Sequence, residues 1–246
     1  IARLDIKGPN LVKGIHLEGL RVLGAASDFA KKYYEDGVDE LFYQDVVASL
    51  YNRNSILEFI KNTAQTISIP LTVGGGIREI SDISDALKAG ADKVAINTAA
   101  VKNPKSIRDS SRIFGSSTIV ASVETIKSEK GGYLAYTDNG REYTGINIVD
   151  WCKELEQLGA GEILLTSMDR DGTKKGYDLE LTKRISSHVN IPVIASGGVG
   201  KLEHLYEGFK TGNASAALAA SIFHFGEFSI EDVKKYLDSK GIPVRI

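Results

Sequence analysis

A (β/α)8 barrel with a twofold half-barrel repeat is the fold class that this sequence predicts, from three observations. Short β-branched runs alternate strictly with longer amphipathic segments, eight of each, as in a parallel sheet. The second half repeats the pattern of the first at a fixed offset. The 246 residues suit one barrel of ordinary size. No Pro/Ser-rich linker or low-complexity tract divides them, so residues 1–246 are expected to form a single domain, with half-barrels of roughly 1–115 and 116–246.

The strand candidates are Ala2–Ile6, Glu40–Gln44, Leu71–Val73, Lys93–Ile96, Thr118–Glu124, Glu162–Leu165, Pro192–Ala195 and Ala214–Ala219. Between them, helices are predicted to begin near Ala26, Ser55, Ile80, Pro104, Ile148, Leu179, Leu202 and Ser229. Two segments interrupt the plain alternation. Lys7–Ser27 is long for a βα loop, and function concentrates in such loops at the C-terminal ends of barrel strands. Within Gly131–Gly145, alternation around Asn139-Gly140 predicts a β-hairpin after strand five.

The repeat is plainest where PLTVGGGIREISDISDALKAGADKVAINTAA, from Pro70, is set against PVIASGGVGKLEHLYEGFKTGNASAALAAS, from Pro192. The offset is 192 − 70 = 122, and it also maps Gly37 onto Gly159, Glu40 onto Glu162 and Gly90 onto Gly212.

A formal net charge of −2 gives no footprint for nucleic acid or an anionic membrane. One cysteine, Cys152, excludes an intrachain disulfide and a cysteine-built zinc site, which suits a reducing cytoplasm. No stretch approaches the roughly 18 apolar residues that span a bilayer, and Ile1-Ala2-Arg3-Leu4-Asp5 reads as a strand, not a signal peptide. The sequence begins without Met, so a few residues are expected upstream of Ile1.

Two phosphate grips are predicted. Gly74-Gly75-Gly76 follows strand three and Gly197-Gly198 follows strand seven, where glycine lets backbone N–H groups approach an anion beside a helix N-terminus. Asn97-Thr98 and Ala220-Ser221 follow strands four and eight at matching places in the repeat. Tight βα turns alone would account for one isolated glycine pair. Two related copies, each with polar partners one strand on, point to a ligand with a phosphate at each end. Thr166, Asp171, Gly172 and Ser196 join this binding set, although Asp-Gly is also an ordinary turn former.

Asp5 ends strand one and Glu124 ends strand five, at nearly equivalent places in the two halves. Carboxylates there suit general acid–base chemistry on the middle of such a ligand. The competing reading is ion pairing, of Asp5 with Lys7 or Lys13 and of Glu124 with Lys127. Lys13 is expected either to clamp a phosphate or to be a solvated surface lysine. Glu40, Lys93 and Glu162 begin strands two, four and six. Either they point outward or they form a charged layer at the barrel floor, since buried charge is costly unless paired.

Together, LVKG (11–14), PLTVGGGIR (70–78), GADKVAINTAAV (90–101), GAGEILLTSMDRDGT (159–173), IPVIASGG (191–198) and LAASIFHF (218–225) resemble the cyclase subunit of imidazole glycerol phosphate synthase, the HisF-like barrels, over essentially the whole chain. The resemblance implies a cyclase-lyase of histidine biosynthesis. It would take ammonia from a separate glutaminase (HisH-like) subunit and convert a ribulosyl aminoimidazole carboxamide bisphosphate to imidazole glycerol phosphate. Asp5 would be the first catalytic residue, Lys13 a mobile-loop lysine, Glu40, Lys93 and Glu162 parts of an ammonia gate, and Asp92 part of the glutaminase interface. The gate's remaining arginine would fall before Ile1. No cofactor or metal is implied. Two departures lie at the chemistry. The family's second catalytic aspartate is here Glu124, and its Asp-Gly after strand one is here Gly8-Pro9, which stiffens the loop. Loop one also resembles HisF-like paralogues tied to amidation of cell-surface sugars of the O-antigen type, which implies an alternative role as an ammonia-delivering subunit.

Overall fold

The computed structural model describes residues 1–15, 18–46 and 54–245. The chain runs β1 (Ala2–Lys7), β2 (Asn10–Ile15), β3 (Glu18–Ala25), α1 (Ala26–Glu35), β4 (Leu41–Asp45), α2 (Asn54–Ala64), β5 (Leu71–Gly74), α3 (Ile80–Ala89) and β6 (Lys93–Ile96). It continues through α4 (Thr98–Lys102), α5 (Lys105–Phe114), β7 (Ile119–Lys127), β8 (Tyr133–Thr137), β9 (Glu142–Asn147), α6 (Ile148–Leu158) and β10 (Glu162–Ser167). The last elements are α7 (Leu179–Ser186), β11 (Val193–Ser196), α8 (Leu202–Lys210), β12 (Ala216–Ala217), α9 (Ser221–His224) and α10 (Ile230–Ser239). All eight expected strand–helix pairs are present. The short helices α4 and α9 are additions, one turn each at the start of the fourth and eighth helical segments.

Two compact units divide the chain, Ile1–Ala95 with Ala219–Ile246, and Ile96–Leu218. In the first, parallel pairing joins β1 to β4, β4 to β5 and β5 to β6. Ala2 bridges Ala219 in parallel, and Arg3 N donates to Ala219 O at 2.9 Å. Leu4 and Ile6 are buried on one face of β1, against which α1 packs with buried Ala26, Ala30 and Tyr33. Arg3 and Asp5 take the other face, as strand alternation dictates. Lys7–Ser27, expected as a long loop, instead carries the antiparallel strands β2 and β3, with β2 paired to β1. Its apolar residues Leu11, Val12 and Val22 suit a ribbon, and Leu11 and Val12 are buried.

In the second unit, β7 pairs with β10, β10 with β11 and β11 with β12, all parallel. The predicted hairpin is present: β8 runs antiparallel to both β7 and β9. Its turn needs three left-handed residues in succession, Asp138 (φ 52°), Asn139 (φ 59°) and Gly140 (φ 79°), which Asp, Asn and Gly tolerate best. Helix α6 shows why these segments are helical. The Asn147 side chain caps it by accepting from Val149 N and Asp150 N, and Gly159 ends it at φ 99°. Ile148, Trp151, Cys152, Leu155 and Leu158 form its buried stripe at helical spacing. Burial pushes the Cys152 thiol up to about 12, so it is an inert core residue.

Candidate active site

Strand register sets the rows in which functional side chains stand. In the first unit, Asp5 pairs with Gln44, Gln44 with Gly74 and Gly74 with Ala95, all at the C-terminal ends of their strands. In the second, Glu124 pairs with Thr166 and Thr166 with Ser196, while Ala195, beside Ser196, pairs with Ala217. Gln44 and Thr166 differ by 166 − 44 = 122, and Gly74 and Ser196 by 196 − 74 = 122, so the sequence repeat is also a repeat of row positions.

Asp5 is wholly buried. Its Oδ1 accepts from Arg3 Nε at 2.7 Å and its Oδ2 from Lys13 Nζ at 3.3 Å. Burial opposes ionisation of this carboxyl, but the Arg3 guanidinium and then the Lys13 ammonium outweigh it and hold Asp5 below the usual carboxylate range. Lys13 is therefore neither solvated nor remote. Its side chain, on β2, is 12% exposed and lies on the expected catalytic aspartate. Of the alternatives weighed for Asp5, pairing with Lys13 is present. His224, in α9, is nearly buried, and its Nδ1 lies 2.7 Å from the Tyr33 hydroxyl. Desolvation takes its pKa down to about 4, so the ring is neutral at pH 7.

The glycine loop after β5 is tight. Gly75 has φ 89°, and a Cβ there would stand 2.2 Å from the Asp45 carbonyl oxygen. Gly76 also lies in the left-handed region, at φ 69°. Ala220 and Ser221 open α9 in this same unit. Gly8 adopts φ 57°, and Pro9 O accepts from Ala26 N at 3.0 Å, so the Gly-Pro step is tied to the start of α1.

At the opposite ends of these strands, Glu40 Oε2 accepts from Lys93 Nζ at 3.0 Å and Glu40 Oε1 from the Thr72 hydroxyl at 2.6 Å. The pair is largely buried, with side chains 17% and 14% exposed for Lys93 and Glu40. Of the three residues expected to form a charged layer, the first unit joins Glu40 and Lys93, while Glu162 begins β10 in the second. Asp92 is exposed, and its Oδ2 accepts from Leu71 N at 2.8 Å, which pins the β5–β6 edge as well as presenting a surface carboxylate.

In the second unit, Glu124 Oε2 accepts from Gly140 N at 2.9 Å, in the hairpin turn. Lys127, its expected ion-pair partner, lies against Glu180 at 3.0 Å. Thr166 and Ser196 are buried beside Glu124's row. Gly197 and Gly198 have φ 96° and 101°, and Cβ atoms there would stand 2.7 Å from Ser167 O and 2.3 Å from Gly176 O. Asp171 N donates to Ser167 O at 3.0 Å, and Gly172 follows at φ 75°, so the Asp-Gly turn is real. Asp169 Oδ2 takes Lys127 N at 2.8 Å. Asn97 precedes α4, which Thr98 opens, and Asn97 Nδ2 donates to Tyr136 O at 3.4 Å. Among the described residues, no group of three or more His, Cys, Asp or Glu side chains could hold a metal ion.

Sequence reasoning missed Arg3, Thr72 and His224. Arg3 carried a readable signal, because a residue two before Asp5 on a strand shares its face. Thr72 and His224 carried none, since both reach their partners only through the fold.

The model of the histidine biosynthesis protein family matches residues 1–229. The imidazole glycerol phosphate synthase subunit HisF of Thermococcus onnurineus is 50% identical over 246 residues, covering 100% of this chain and 97% of that protein. The HisF subunit of Sulfurisphaera tokodaii is 50% identical over 246 residues, covering 100% of this chain and 98% of its own. The HisF subunit of Legionella pneumophila is 60% identical over 203 residues, covering 82% of this chain and 96% of its own.

The chain belongs to the HisF family. Membership carries the (β/α)8 fold class that the strand–helix alternation predicted, and it makes the chain an enzyme subunit. HisF relatives are named as subunits of a synthase, so a partner subunit goes with the family. Among the described residues, no helix is long and apolar enough to cross a membrane.

Proposed function

We propose that this chain is the cyclase-lyase subunit of imidazole glycerol phosphate synthase, acting in histidine biosynthesis on ammonia and a ribulosyl aminoimidazole carboxamide bisphosphate. The observation that carries this reading is 50% identity to two HisF subunits along all 246 residues. The surface-sugar alternative is not favoured, because the relatives are named for the synthase.

In this reading Asp5 and Glu124 are the catalytic pair. Asp5, ionised between two cations, acts as the base, and Glu124 serves the second carboxylate role. Gly75, Gly76, Asn97 and Thr98 would bind one phosphate. Gly197, Gly198, Ala220 and Ser221 would bind the other, with Thr166, Ser196, Asp171, Gly172 and Lys13 completing substrate contact. The positive φ of Gly75, Gly76, Gly197 and Gly198 supports that assignment, because such a backbone can turn its N–H groups toward an anion. Glu40, Lys93 and Glu162 would admit ammonia from a HisH-like glutaminase, and Asp92 would meet that partner.

The test supplies the bisphosphate and excess ammonium salt at mildly alkaline pH and follows loss of substrate absorbance. Turnover that falls at least 100-fold in Asp5→Asn supports the reading. Bisphosphate binding without turnover refutes it.

A further inference from the structure

Asp5 is held by cations of two different kinds. Lys13 arrives on β2, a strand of the ribbon that extends from β1, and its ammonium is at 3.3 Å. Arg3 stands on β1 itself, two residues before Asp5, with Nε at 2.7 Å from Oδ1. Same-face residues on one strand lie about 6.6 Å apart, a gap the long arginine side chain spans with its planar head turned along the strand. Phe42 is the register partner of Arg3 on β4, and its ring centroid lies 6.0 Å from the guanidinium carbon. That packing and the strand fix the arginine head. Arginine also keeps its charge at any pH a protein survives, whereas a lysine ammonium is a mobile point charge on a flexible stem.

A wholly buried carboxyl without such a neighbour would favour its neutral form. The charged and titratable groups around Asp5 are Arg3 on its own strand, Lys13 on β2 and His224 on α9. The His224 ring is neutral at pH 7, and the Lys13 ammonium stands farther from the carboxyl than the Arg3 guanidinium, at 3.3 Å against 2.7 Å. Arg3 is the nearer cation and the one that stands on the Asp5 strand itself.

We propose that Arg3 is a positioning residue that keeps the Asp5 carboxylate ionised and oriented through the catalytic cycle. The proposal rests on the cyclase reading for its catalytic part. It assigns no bond-making to Arg3.

The test pairs a titration with kinetics. In the unaltered chain, carbon-13 NMR of labelled aspartate should place the Asp5 midpoint below the ordinary value of about 3.9, and a midpoint at or above that value overturns the proposal. In Arg3→Gln the midpoint should rise by about one pH unit or more, because one of two adjacent positive charges is gone. The acid limb of the pH–kcat profile should move by the same amount, with KM for the bisphosphate changed less than about threefold. Arg3→Lys should restore part of both shifts, which a purely structural role would not produce. A fall in kcat in Arg3→Gln that is equal at every pH, with the Asp5 midpoint unmoved, overturns the proposal and leaves the cyclase reading standing. Absence of turnover in the unaltered chain refutes the cyclase reading and the catalytic part of this proposal with it. The titration then decides by itself whether Arg3 holds Asp5 ionised.

Discussion

Lys93→Met tests whether the charged pair of Glu40 and Lys93 is a buried structural unit or a solvated ornament. The substitution keeps the aliphatic stem and removes the ammonium that stands 3.0 Å from Glu40 Oε2. Glu40 keeps the Thr72 hydroxyl at 2.6 Å and its electrostatic coupling to the Ile1 ammonium, but loses the Lys93 charge. Stranding one partner of a fully buried pair costs about 3–5 kcal/mol, whereas a surface pair contributes about 0–1 kcal/mol. With side chains 17% and 14% exposed, this pair lies nearer the buried limit, but some solvent screening remains. A loss of about 2 kcal/mol follows. For a chain of this size each kcal/mol lowers Tm by about 2–4 °C, so Tm should fall by about 4–8 °C. Thermal unfolding followed by circular dichroism reads this directly. The double variant Glu40→Gln/Lys93→Met removes the stranded charge and should recover part of the loss, since the cost lies in the unpaired carboxylate. A Tm change under about 1 °C in Lys93→Met, or a double variant as unstable as the sum of the singles, would refute the reasoning.

Gly75→Ala should weaken bisphosphate binding at least tenfold by calorimetry, because a Cβ would meet the Asp45 carbonyl at 2.2 Å and force the glycine loop to move. Gly8→Ala is its control: φ is 57° but no atom lies within 4 Å of the added methyl, so the cost is limited to about 1–2 kcal/mol of backbone strain. Unchanged binding in Gly75→Ala would remove that loop from the substrate site. Glu124→Asp should raise cyclase turnover if the extra methylene displaces the second carboxylate. It should also destabilise the hairpin, since the bond from Gly140 N at 2.9 Å is lost. No gain in kcat counts against this account of Glu124.

Much of this fold is legible in the sequence because its local and long-range signals agree. Alternating β-branched and amphipathic segments, glycines after strands and the caps of α6 all specify one answer. The ends of strands were read to within a few residues, as for β7, which runs on to Lys127 and carries the hairpin. Helices α4 and α9 escaped because four or five residues carry no periodicity. The β2–β3 ribbon escaped because it lacks the Asn-Gly signal that marks its counterpart at Gly140. At the candidate site, residue types at strand ends single out Asp5 and Glu124 but not what surrounds them. The Arg3 clamp depends on alternation within one strand, and the Thr72 contact to Glu40 on the pairing of neighbouring strands.

The two ribbons also explain a mismatch in the repeat. Rows two and three keep the 122-residue offset, yet Asp5 and Glu124, which occupy equivalent places in their rows, differ by 124 − 5 = 119. From Asp5 to Gln44 the chain takes 44 − 5 = 39 steps, and from Glu124 to Thr166 it takes 166 − 124 = 42. The three-residue difference falls between the first and second parallel strands of each unit, and both units place an antiparallel ribbon there, β2–β3 and β8–β9. The repeat therefore extends to an insertion whose sequence shows no repeat. Each ribbon pairs with residues that also keep their parallel partners, Ile6 in β1 and Glu124 in β7, so the added strands leave the rows intact. That freedom lets each unit give its carboxylate a different partner. Lys13 comes to Asp5 from one ribbon, and Gly140 N comes to Glu124 from the other. Two carboxylates in equivalent rows thus meet different groups from their ribbons, an ammonium at Asp5 and a backbone N–H at Glu124. Such a difference is what separates the roles of two acidic groups in one reaction.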